Sequence, residues 1–132
     1  MMYTGRTALV YSGLIQASDR VKDVATSNKN LDWCRAGRTR YIFNQTLDDT
    51  TYTKLVDNGV HTPIPERALI EWIINDHIID EGTFIWAMQN YLNSSDKNLP
   101  LLYEVANHFG VSRETVDYCI KEAEEEDDMS MG

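Results

Sequence analysis

The residues richest in chemistry are three arginines within six positions. Arg35, Arg38 and Arg40 lie between Trp33 and Tyr41, the one patch of the chain that is both basic and aromatic. Guanidinium groups grip phosphate or carboxylate through paired N–H donors, and aromatic rings stack on bases. The patch suits a phosphate, an acidic protein face or RNA; the plainer alternative is a strand edge guarded by charge. Near the other end, Glu122-Ala123-Glu124-Glu125-Glu126-Asp127-Asp128 is the only biased segment. Such a run is a solvated helix end, or an arm that offers Glu122, Glu124, Glu125 and Glu126 to a basic partner.

A third pattern is Ala106, Gly110 and Val116, which follow helix-turn-helix spacing. The small residue lets two helices approach, the glycine turns the chain, and the valine packs beneath. Residues 112–121 would then enter a major groove. That helix sets Arg113 and Lys121 against Glu114 and Asp117, and the acidic run follows. Facing phosphates, this balance repels, so a corner used for packing is the preferred reading. Other chemistry is sparse. His61, His77 and His108 form no His-x-x-His or Glu-x-x-His pair, and Cys34 and Cys119 form no Cys-x-x-Cys pair. No phosphate-loop or nucleophile-elbow motif occurs. The expectation is a non-enzymatic protein with no metal or cofactor.

The elements that must position these residues fall into two halves. Residues 4–14 read as a short helix, with Thr4 as N-cap and Gly13 at the left-handed end. Strand-like runs follow at 21–26, 38–44, 51–56 and 60–62, separated by turn residues. No helix separates these runs, which argues for a small, mainly antiparallel sheet. From Pro65 the apolar period lengthens. Pro65 and Glu66 open one helix. Phe84, Ala87, Met88 and Tyr91 mark a second, Leu102, Val105, Ala106 and Phe109 a third, and Ser112 opens a fourth. The sum is an α+β fold: an N-terminal helix, the sheet, then about four helices. It is read as a single domain over residues 1–126, with a frayed acidic tail over 127–132.

The chain has 132 residues and a formal charge of −9, unevenly placed. Residues 1–62 hold eight Lys/Arg and six Asp/Glu, giving +2; residues 63–132 hold four and fifteen, giving −11. An acidic surface argues against nucleic acid or an anionic membrane as main partner. No apolar run reaches the ~18 residues a membrane span needs, and no secretory leader is visible. With two lone cysteines, the expectation is a cytoplasmic protein with free thiols.

Four segments, taken in order, resemble a family. Thr7-Ala8-Leu9-Val10-Tyr11-Ser12-Gly13-Leu14 is similar to an element of the AbiEi-type abortive-infection antitoxins of type IV toxin–antitoxin systems. Val60-His61-Thr62-Pro63-Ile64-Pro65-Glu66-Arg67-Ala68-Leu69-Ile70-Glu71-Trp72 resembles that family's strand and Pro-Glu-Arg helix start. Phe84 to Leu92 and Leu102 to Gly110 resemble its next two helices. The resemblance implies a cytoplasmic protein that neutralises a nucleotidyltransferase-like toxin, and it covers the region after that family's winged helix. It also implies that the pattern at 105–116 serves packing. In physical terms Arg67 is expected to reach a carbonyl or carboxylate beside the sheet and pin helix to strand. Two other readings are an acidic inhibitor that mimics nucleic acid, of phage or mobile-element type, and a helix-turn-helix regulator.

Overall fold

The computed structural model describes residues 1–18 and 20–131, with side chains to 126. The fold is α+β, as the sequence pattern predicts. Helix α1 (Gly5–Tyr11) is followed by strand β1 (Lys22–Thr26), a 3₁₀ turn (Lys29–Leu31), β2 (Arg35–Ala36), β3 (Thr39–Phe43), β4 (Thr53–Val56) and β5 (Val60–Pro63). Four helices complete it: α2 (Pro65–Ile74), α3 (Glu81–Leu92), α4 (Leu99–His108) and α5 (Arg113–Met131). The acidic tail expected to fray over 127–132 lies outside the residues whose side chains are described. Among the described residues no helix is long and apolar enough to cross a membrane.

The strands form two sheets, β1-β3-β2 and β4-β5. Two of the three strand pairs are antiparallel, but β1 and β3 run parallel, from Lys22↔Thr39 to Thr26↔Phe43. The twelve residues between them carry the 3₁₀ turn and β2, enough chain to return β3 in the direction of β1 without a helix. The first residues join the sheets: Met2 bridges His61, and Tyr3 bridges Val24. The Tyr3 N–H donates to the His61 carbonyl at 2.9 Å, and the Ala25 N–H to the Met2 carbonyl at 2.9 Å.

Beneath this layer α2 packs on α1, α3 and α4, while α5 rests on α3 and α4. Leu69, Ile70, Met88, Leu102 and Val105 are all fully buried at the helix crossings. Trp72 stacks on Phe84 at 4.1 Å and donates its indole N–H to the Ile79 carbonyl, so α2 and α3 are fixed by shape and by a directed bond. The start of α1 is held tightly: Gly5 has φ +54°, and a Cβ there would stand 2.9 Å from the Ile78 carbonyl oxygen.

The Pro-Glu-Arg helix start becomes an internal polar anchor. Arg67 is fully buried. Its Nη1 donates to the Asp49 and Thr51 carbonyls and its Nη2 to the Thr46 carbonyl at 3.0 Å, while Phe109 covers the guanidinium at 4.9 Å. Thus Arg67 reaches carbonyls, as expected, but it pins α2 to the loop between β3 and β4 rather than to a strand. One turn on, Glu71 stands 3.8 Å from Arg67 and accepts from Asn44 Nδ2 at 2.9 Å and Thr46 Oγ1 at 3.0 Å. Burial pushes the Glu71 carboxyl up; Arg67, Asn44 and Thr46 oppose that rise. Glu66 does more than favour the helix dipole, because it is buried and accepts from Tyr91 Oη at 2.7 Å.

Two outcomes follow from the anchor and its loop. Arg67→Met leaves three carbonyls without their donor and Glu71 without its counter-charge, so unfolding free energy should fall by about 3–5 kcal/mol in urea titration, with Arg67→Lys between the two. A loss below about 1 kcal/mol would mean that the loop does not depend on the guanidinium. Acid provides the second check. Hydrogen bonds from Thr51, then from His108, hold the Asp49 carboxyl at about 2. A carboxyl depressed in the folded state stabilises above its ordinary value, and that stability is lost as pH falls from about 4 toward 2. Asp49→Asn should therefore flatten the stability curve in that window.

Candidate functional site

Two clefts flank the first turn of α3, where the Asp80 side chain caps the helix by accepting from the Thr83 N–H at 2.9 Å. Asp80 and Thr83 line the first cleft; Glu81, Phe84 and Ile85 line the second.

The first cleft measures about 400 Å³ and lies against the β2–β3 hairpin. The hairpin brings the three arginines together. Arg35 stands directly opposite Arg40 in the strand register, and Arg38 sits exposed in the turn beside Gly37. Like charges placed opposite one another weaken a strand pair, so something must balance them. Part of that balance is Asp23, whose side chain is only 2% exposed and accepts from Arg40 Nε at 2.8 Å. The Arg40 guanidinium also lies 4.9 Å over the Trp33 ring. Arg35 Nε donates to the Gly37 carbonyl at 2.9 Å.

Trp33 is the unusual member. It is 45% exposed and has φ +63°, a conformation that disfavours a bulky side chain by about 1–3 kcal/mol. Its N–H donates to the Tyr41 carbonyl at 2.7 Å, and the Tyr41 N–H donates to the Cys34 carbonyl at 2.8 Å. These bonds hold the ring at the cleft. Arg6 and His77 add basic side chains to the lining. His77 is oriented by the Phe43 carbonyl, 3.0 Å from its Nε2.

The second cleft, about 220 Å³, runs between α3 and α5. Phe84, Ile85 and Cys119 give it an apolar floor, and Glu81, Tyr118 and Glu122 line it as well. Glu122 is half-buried and accepts from Tyr118 Oη at 2.7 Å. Glu124, Glu125 and Glu126 are exposed beyond it, with Lys121 3.9 Å from Glu125. Tyr118 is 63% exposed and Trp86 43%. Gln89 of α3 reaches the Ala123 carbonyl of α5 at 3.1 Å, and Trp86 lies on α3 outside the lining of this cleft. No residue lines both clefts: of the three hairpin arginines Arg40 lines the first, with Asp23 and Asp80, and Glu81 and Glu122 line the second.

The helix-turn-helix spacing is realised as a packed corner. Ala106 and Val116 are buried, and Gly110 turns the chain with φ +76°. The exposed side of α5 is unsuited to phosphate. Arg113 stacks on Tyr103 at 4.3 Å, Tyr103 donates to Asp117, and Glu114 and Asp117 are exposed. Sequence reading passed over Trp86 and Tyr118 as surface features. The available signal was position: Trp86 falls off the buried stripe of Phe84, Ala87, Met88 and Tyr91.

Among the described residues no group of three or more His, Cys, Asp or Glu side chains converges as metal ligands do. No family model matches the chain, and no curated protein sequence matches it. The cysteines differ in environment. Cys34 is exposed, whereas burial, then Glu122, pushes the Cys119 thiol up. Iodoacetamide at neutral pH should label Cys34 first, with peptide mass spectrometry showing Cys119 modified at least tenfold more slowly.

Proposed function

We propose that this chain is a non-enzymatic, antitoxin-type protein-binding domain acting in the cytoplasm, and that the α3–α5 face meets a basic face on its partner. The observation that carries this reading is the pairing of exposed aromatic side chains with carboxylates. Tyr118, 63% exposed, lines an apolar groove edged by Glu81 and Glu122, and Trp86, 43% exposed, lies on α3 outside that lining. Interfaces draw most of their affinity from buried aromatic anchors, while surrounding charge speeds encounter and selects partners. Glu124, Glu125 and Glu126, exposed further along α5, add to that field.

The antitoxin role rests on the serial resemblance of four segments across residues 7–110, and it makes a nucleotidyltransferase-like toxin the expected partner. A nucleic-acid mimic is less well supported by α5. Glu114, Asp117 and Glu125 share a face at helical spacing, but Lys121 interrupts the row and stands 3.9 Å from Glu125.

The immobilised chain should retain one protein from host lysate at low salt and release part of it at high salt. Trp86→Ala with Tyr118→Ala should weaken capture about thirtyfold or more, the effect of losing an anchor worth ~2 kcal/mol, while Arg35→Ala leaves it intact. The retained protein, expressed alone, should arrest growth, and co-expression of this chain should relieve the arrest. Retention of no protein at either salt refutes the binding surface; retention without relief refutes the antitoxin role.

A further inference from the structure

We propose that the cleft beside Trp33 is a binding site for a nucleotide unit, with the base stacked on Trp33 and the phosphate held by Arg40, while Arg35 and Arg38, outside the lining, add positive charge on the same hairpin. This site is separate from the α3–α5 face and does not depend on what that face binds.

Size is the first argument. A volume of about 400 Å³ falls within the range of small-ligand sites and exceeds what a lone inorganic anion needs. The second is the ring. Trp33 lines the cleft, is 45% exposed, and is kept there at φ +63° by the backbone bonds to Tyr41. A ring buried for stability alone would not be left half in solvent in a disfavoured conformation. Arg40 lies over part of the ring, and the indole surface that stays exposed suits a planar heterocycle, because every base has a π-face.

The third argument is how the charges are held. Asp23 engages Arg40 through Nε, at 2.8 Å, which fixes the guanidinium plane over Trp33. A guanidinium held at Nε keeps its terminal Nη donors for a second partner, and two parallel N–H groups fit a phosphate. Arg35, opposite Arg40, and the neighbouring Arg38 place two more cations on the same hairpin. An anion there relieves the repulsion between the facing arginines.

The same chemistry has two sources, a free mononucleotide or one unit of a single strand, and calorimetry separates them. The full chain is titrated with AMP, CMP, ribose 5-phosphate and a six-nucleotide single-stranded RNA. Binding of the mononucleotides at least tenfold tighter than ribose 5-phosphate is expected. Trp33→Ala should weaken nucleotide binding tenfold or more, and Trp33→Phe should restore most of it. Arg35→Gln with Arg38→Gln, both on exposed side chains, should weaken the mononucleotides and ribose 5-phosphate together. Tighter binding of the RNA than of either mononucleotide would assign the site to a strand; equal or weaker binding would assign it to a free nucleotide. The proposal is overturned if neither nucleotide nor RNA binds, if ribose 5-phosphate binds as well as AMP, or if Trp33→Ala binds AMP like the parent while retaining its fold by circular dichroism.

Discussion

A single buried guanidinium sets the terms for the rest of this fold. Arg67 lies fully inside the protein, where an uncompensated charge would be prohibitive. Its compensation comes from carbonyls of Thr46, Asp49 and Thr51 and from Glu71 one turn along α2. Three of those partners belong to one irregular loop. The loop between β3 and β4 therefore has a fixed path because α2 offers it a fork of donors, and α2 can start where it does because the loop offers acceptors. Asn44 extends the network, donating to Glu71 and to Thr4 Oγ1 at 3.0 Å, so the entry to α1 is tied to the same centre. Among the described residues Arg67 Nε and Glu71 Oε2 find no hydrogen-bond partner, so the network already carries a cost that the loss of any further member would raise.

From that centre the two clefts follow. Anchored α2 carries Trp72 against Phe84, which fixes the first turns of α3. That start divides the hairpin side from the helical side. The hairpin is held in turn by the parallel β1–β3 pair, which brings Asp23 opposite Arg40 in register. A buried carboxylate and an arginine at the cleft mouth are thus a direct product of strand pairing. On the other side, α5 packs on α3 and α4 with Val116 and Ala123 fully buried, and Glu114, Asp117, Tyr118, Glu124, Glu125 and Glu126 stay exposed.

Much of the helical half was legible. Proline at a helix start, serine at a cap, and a 3.6-residue apolar period have local causes, so α2 to α5 lie close to where the sequence places them. Even the task of Arg67 could be read, because an arginine on the first turn beside a strand has few places to reach. The sheet was less legible. The β2 strand has two residues, too few for a pattern, and the N-terminal residues that bridge both sheets carry no strand signature of their own. The parallel β1–β3 pair depends on a crossover without a helix, which no local propensity reports. Of the site, the arginine cluster was visible as composition. What sequence could not show was the left-handed Trp33, or the exposure of Trp86 and Tyr118, since both depend on what tertiary packing leaves uncovered.

Burial also changes the meaning of the charge asymmetry. Counted along the chain, residues 63–132 hold fifteen carboxylates against four cations. Glu66, Glu71 and Arg67 are spent on the interior, where they tie α2 to its neighbours and contribute little field outside. What remains acidic at the surface is concentrated on α5 and the start of α3. In residues 1–62 the buried carboxylate is Asp23, while Arg35 and Arg38 stay exposed, so the hairpin surface is more basic than a count of +2 suggests. The net charge of −9 is therefore an average over two faces that attract opposite partners. An acidic protein repels phosphates at long range, but within a Debye length of about 8–10 Å the local sign governs. A basic cleft on an acidic protein favours small or flexible anions that can approach one side alone, and it discriminates against a rigid duplex that must pass the field of α5.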